Sequence, residues 1–138
     1  MTTDKQFVTM FYAGWGMRCC GEPIFIGDIL EEYEVATIDE TYKGSPFFQE
    51  CDFYYDNHGC FGIGDESIRF LTGKVLDIRE IWHNQQTKAD QIIEVESAGD
   101  VYCSPGKDWH LDGYLIRVEV MELHRCEHGL LVRTDKNS

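Results

Sequence analysis

The chain has 138 residues, 43% of them hydrophobic and 27% charged, with 25 acidic against 12 basic side chains and a formal charge of -13. This length supports one domain with its own core, and the composition excludes a disordered or fibrous chain. The negative field argues against nucleic acid and anionic membranes as partners and leaves proteins, small ligands and basic surfaces.

One domain is expected over residues 1–138, closing in a polar tail at 134–138. Met1 to Gln6 lacks the basic region and cleavage site of a signal peptide, and the apolar-rich stretch from Phe7 to Met17 is too short to span a bilayer. A cytoplasmic location follows as an expectation. In that setting the six cysteines, Cys19, Cys20, Cys51, Cys60, Cys103 and Cys126, are reduced thiols rather than a disulfide framework.

Gln6 to Trp15 is dense in aromatic and β-branched residues. Phe7, Phe11 and Ala13 fall on one side of a strand and Val8, Met10 and Tyr12 on the other. A strand apolar on both faces belongs in the middle of a sheet. Asp28 to Ala36 reads as a second, half-buried strand, with Ile29, Tyr33 and Val35 alternating with Leu30, Glu32 and Glu34.

From Ser45 the period changes. Ser45 can cap a helix, Pro46 suits its first position, and Phe47, Phe48, Cys51, Tyr54 and Tyr55 form a stripe at helical spacing, so a helix is predicted at about 46–57. Gly59, Gly62 and Gly64 then make a turn-rich connection.

In Arg69 to Trp82, Leu76, Ile78 and Trp82 suit a strand while Val75, Ile78 and Trp82 also fit one helix face, and the strand is favoured. With the polar Asn84–Asp90 turn and the apolar Ile92, Ile93 and Val95, it predicts a hairpin. Tyr114, Ile116, Val118 and Val120 alternate with Leu115, Arg117 and Glu119, which specifies another strand, and a short closing strand is predicted at Leu130 to Arg133. Several short strands and one helix predict a mainly β fold, at the margin of α+β. The expected form is a small antiparallel, partly closed β-barrel with the helix covering one opening.

The most distinctive stretch runs from Trp15 to Asp28. Its residues Trp15, Met17, Cys19, Cys20, Gly21, Pro23, Phe25, Gly27 and Asp28, then His58-Gly59, then Thr72 to Ile78, resemble DUF6578, a family of small bacterial proteins of unknown function. The resemblance covers about the first 80 residues and rests mainly on the Cys-Cys-Gly run. Ile24 between Pro23 and Phe25, and the single His before Gly59, depart from the family pattern. The family has no assigned activity, so the resemblance implies a shared fold and a shared cluster with no chemistry attached.

Trp15, Met17, Cys19, Cys20 and His58 are therefore the candidate binding surface. Cys19, Cys20 and His58 are also zinc-type ligands, but adjacent residues of an extended segment point to opposite faces, and structural zinc sites usually separate paired ligands by two to four residues. Free cysteine packed as a small apolar residue is the ordinary alternative. A second set, His124, Cys126 and His128, would share one face of a strand, although its place just before Gly129 favours an exposed turn. No cofactor is predicted, with zinc kept as a minor reading. A Cys19 or Cys20 nucleophile paired with His58 has the right residue types, but nearby acids would raise a thiol pKa, so a non-enzymatic role is favoured. The leading reading is a cytosolic binding or interaction module for a protein or small ligand. The alternatives are an acidic inhibitor or immunity-type protein and a Cys/His metal-binding protein. The oligomeric state is not specified by sequence.

Overall fold

A computed structural model describes residues 5–13, 23–37, 51–55, 68–99, 105–127 and 130–132. Among the described residues nine strands appear in chain order. They are β1 (Gln6–Ala13), β2 (Ile24–Phe25), β3 (Ile29–Thr37), β4 (Phe53–Tyr55), β5 (Ile68–Asn84), β6 (Asp90–Val95), β7 (Ser97–Ala98), β8 (Trp109–Glu127) and β9 (Leu130–Val132). The described residues hold no helix, and so none long and apolar enough to cross a membrane.

Seven strands form one sheet in the order β6-β5-β3-β4-β1-β8-β9, and β2 and β7 pair separately. A further pairing of β5 with β8 joins β5, β3, β4, β1 and β8 into a ring. Only the β1–β4 pairing is parallel among the described pairings. One edge of β5 follows β8 along almost its whole length. Its other edge pairs first with β3, over Ile68 to Lys74, and then with β6, over Ile78 to His83. A strand of 17 residues can thus belong to the ring at one end and to the β5–β6 hairpin at the other.

Period-two alternation sorts the side chains. Val8, Met10 and Tyr12 of β1, Leu71, Val75 and Ile78 of β5, and Tyr114, Ile116 and Val118 of β8 pack together in the main core. On the opposite face, Phe11, Ile81 and Leu115 pack with Cys51 and the half-buried Tyr54. The central position predicted for the first strand is observed, since β1 is paired on both sides by β4 and β8. The predicted hairpin also forms, with Asn84 Oδ1 accepting from the Gln86 and Thr87 amides at 2.9 Å each.

The helix predicted at about 46–57 is not what residues 53–55 form. Phe53 pairs with Met10 on β1 and Thr37 on β3, and Tyr55 pairs with Tyr12 and Val35. Residues 46–50 and 56–57 lie outside the described residues. The physical reason is the gap between β1 and β3, whose backbone donors and acceptors need partners on both sides. A strand fills it, and Asp52 extends the match, its amide donating to Thr9 O at 2.8 Å while its carboxylate accepts from Thr9 N at 2.8 Å. Phe53 and Tyr55 then point into the main core, and Tyr54 stacks on Phe11 on the other face with ring centroids 6.1 Å apart. The described part of the stripe read at helical spacing is therefore divided, with Cys51 and Tyr54 on one face and Tyr55 on the other.

The second strand departs from simple alternation as well. Leu30 is buried and Ile29 exposed, whereas Tyr33 and Val35 pack inward, so residues of opposite parity share the core. A register shift between Leu30 and Tyr33 reconciles them, with Glu32 at φ 50° and its amide donating to Thr72 Oγ1 at 3.0 Å.

Candidate functional site

The outer face of the β6-β5-β8-β1 surface carries the polar chemistry. Pairing sets Thr9 opposite Arg117 and Arg117 opposite Asp77 in one row across β1, β8 and β5. In the next row, Phe11 lies opposite Leu115, Leu115 opposite Arg79, and Arg79 opposite Glu94 of β6. Thr9, Asp77, Arg79, Glu94 and Arg117 line an open depression of about 330 Å³. The Arg117 guanidinium lies 5.1 Å above the Phe7 ring, a cation–π contact that steadies one wall. The Thr9 amide donates to the Asp52 carboxylate.

The register decides this assembly more than any local motif does. Asp77, Arg79, Ile81 and His83 alternate with inward residues of β5, so the Asp77 and Arg79 rows lie on one side of the buried Ile81 row and His83 on the other. Two guanidinium forks can donate paired hydrogen bonds to a carboxylate or phosphate, and two carboxylates can receive a cationic group. The lining holds two carboxylates, two guanidinium groups and one hydroxyl.

Beyond the Ile81 row lies a second cluster. His83 of β5 faces Asp90 of β6, with Nδ1 and Oδ1 2.8 Å apart. Asp112 joins them because β8 shifts register between its pairings with Ile81 and Trp82, and the residue between Leu111 and Gly113 turns to the outer face. One ligand atom from each of His83, Asp90 and Asp112 lies within 4.8 Å of the others, which makes this the metal-capable group among the described residues. Desolvation raises the Asp112 carboxyl above its ordinary value; His83 opposes that shift, Asp90 adds to it and His110 opposes it.

On the inward face of the same strand, Glu80 is a buried carboxyl. Trp82 Nε1 donates to Glu80 Oε1 at 3.0 Å. Desolvation pushes Glu80 above its usual range, and the Trp82 hydrogen bond offsets part of that.

The residues singled out by sequence are distributed differently. Trp15, Met17, Cys19, Cys20, His58 and His128 lie outside the described residues. Cys126 has its backbone in β8, opposite Leu131. His124 is described, and the exposed turn expected there is not found, because β8 continues through Glu127 and His124 is buried with Nε2 3.3 Å from Glu122 Oε2. The extended β5–β8 ladder explains this, since Phe70 and Arg69 supply partners for His124 and Arg125. Sequence reasoning missed the five residues of the depression and the His83 cluster. One signal was present for the latter: a hairpin turning over Asn84 to Asp90 sets His83 and Asp90 side by side.

Residues 6–120 match a family of unknown function, DUF6578. The match therefore extends well past the first 80 residues that carried the resemblance. No curated protein and no solved structure matches the chain.

Proposed function

The chain belongs to the DUF6578 family, and from that premise we propose that it is a binding module whose ligand site is the depression lined by Thr9, Asp77, Arg79, Glu94 and Arg117. The carrying observation is convergence: four strands deliver five polar side chains to one concavity beside a buried apolar row. The ring of strands is read as a small barrel filled by its own side chains, so the ligand sits on the outer face rather than in a lumen. A cytoplasmic setting belongs to the same proposal.

The charge pattern selects a small zwitterion. Arg79 and Arg117 take its carboxylate or phosphate, and Asp77 and Glu94 take its cationic end. A plain polyanion is disfavoured by the chain's net charge of -13. The test is an amide NMR titration with a panel of amino acids and dicarboxylic acids. Expected are shifts centred on Thr9, Asp77, Arg79, Glu94 and Arg117 for a zwitterion, and a loss of about tenfold in affinity in Arg117→Ser, the scale of one charge-assisted hydrogen bond. Shifts centred elsewhere, or an unchanged affinity in Arg117→Ser, sink the proposal.

A second reading, an acidic inhibitor of a basic protein, is favoured by the exposed Asp28, Glu31 and Glu32 at the start of β3. It requires partner binding that weakens steeply with salt; salt-independent binding sinks it.

A further inference from the structure

We propose that His83, Asp90 and Asp112 form a binding site for a divalent transition-metal ion of the zinc class. The site is separate from the Arg79–Arg117 depression and does not depend on it.

Three observations carry the inference. The first is convergence, because β5, β6 and β8 each supply one ligand-type side chain, and one ligand atom from each lies within 4.8 Å of the others. Around a zinc-class ion, bond lengths of about 2.0–2.2 Å place neighbouring ligand atoms roughly 3–4 Å apart. The His83–Asp90 separation of 2.8 Å must open slightly to admit an ion, and the other separations lie within 4.8 Å. The second is backbone definition. His83 and Asp90 are directly paired at the turn end of the hairpin, and Asp112 is turned outward by the β8 register shift, so the three positions are set by strand pairing.

The third is the donor set. His83 brings an imidazole and Asp90 and Asp112 bring carboxylates, and His110, paired directly opposite His83, stands next to this group without belonging to it. Imidazole nitrogen with carboxylate oxygen suits borderline ions of the zinc class, whereas calcium and magnesium favour oxygen alone. His83 and Asp90 are about one-third and two-fifths exposed, so an ion has a path from solvent and keeps room for water.

The experiment is a cobalt(II) titration of the full chain after chelator treatment and dialysis, followed by zinc competition. Cobalt(II) reports its ligands, since thiolates add a near-ultraviolet charge-transfer band that nitrogen and oxygen ligands do not. Expected are one bound ion per chain with visible d–d bands and no thiolate band, displacement by zinc, and at least about tenfold weaker binding in both His83→Ala and Asp112→Asn. Cys19→Ser and Cys20→Ser leave this binding unchanged. Asp112→Asn keeps the shape of an exposed side chain, so it decides the matter even where His83→Ala perturbs folding. No cobalt binding, binding only with a thiolate band, or full affinity in Asp112→Asn overturns the proposal.

Discussion

Gly73→Ala probes the crossing on which the ring depends. Gly73 pairs with Leu30 of β3 and with Val120 of β8, at the point where β5 shifts register against β8. A Cβ built there lies 2.4 Å from Val118 Cγ1 and 2.5 Å from Glu119 O. Ordinary contacts begin near about 3.5 Å, so both neighbours must retreat by roughly 1 Å. Val118 is fully buried and stiff about χ1, and leaving its rotamer costs about 0.5–1.5 kcal/mol. Glu119 O belongs to the backbone, and weakening a hydrogen bond at that carbonyl costs another 0.5–1.5 kcal/mol or so. The alanine returns about 0.4–1 kcal/mol by restricting the unfolded chain. With overpacking of the surrounding core at about 1–3 kcal/mol, the net loss spans about 1–6 kcal/mol and centres on about 3 kcal/mol.

The assay is equilibrium urea unfolding followed by tryptophan fluorescence, because Trp82 is buried and reports the core. A midpoint shift at unchanged slope is expected, together with a Tm lower by roughly 8–12 °C. Val118→Ala removes one of the two clashes, so the double variant is less destabilised than the sum of the singles by about 1 kcal/mol. Gly27→Ala is the control. Its Cβ meets nothing within 4 Å, its φ of +96° alone supplies the cost, and its combination with Val118→Ala is additive. A Gly73→Ala loss below about 1 kcal/mol, or additivity with Val118→Ala, refutes the steric reasoning.

Glu80→Gln tests the buried carboxyl. Its folded pKa lies above the ordinary 4.5, so folding takes up protons and this residue's contribution is most favourable below about pH 4.5 and is lost as pH rises through the folded value. Glutamine keeps an acceptor for Trp82 and cannot ionise; the variant therefore gains stability relative to the parent between pH 4.5 and 8 in paired urea titrations, and a pH-independent difference refutes the assignment. Lys88→Gly acts on the hairpin turn, where Lys88 is exposed at φ 64°. Relief of the left-handed backbone is expected to raise stability by up to about 1 kcal/mol in thermal unfolding, and a loss counts against it.

Much of the sheet was legible in the sequence because burial on one face writes a period of two. Asp28 to Ala36 and Tyr114 to Val120 were visible that way, Gln6 to Ala13 showed by its aromatic and β-branched density and Arg69 to Trp82 by its β-branched content and the turn after it, and each is observed with somewhat different ends. Phe53 to Tyr55 was misread because three residues are too few to distinguish a strand from one turn of helix, and the deciding factor is the unfilled ladder between β1 and β3. The reversal at Leu30 is of the same kind, since a bulge is set by the partner strand and leaves only a parity change behind.

The candidate site was less legible still. The cysteine-rich run drew attention because its composition is unusual, whereas Arg79, Arg117, Asp77 and Glu94 are ordinary surface residues until the register aligns them. His83 and Asp90 could be paired from the turn between them, but Asp112 reaches them only through the β8 register shift. The amino-acid sequence by itself determined the β-rich class, the family, the central strand and the hairpin, because these follow from local periodicity, turn chemistry and recognisable residues. The tertiary structure alone decided the ring closure, the strand at 53–55 and the meeting of distant side chains on one face, because hydrogen-bond register between strands far apart in sequence is a property of the pair and is written in neither strand.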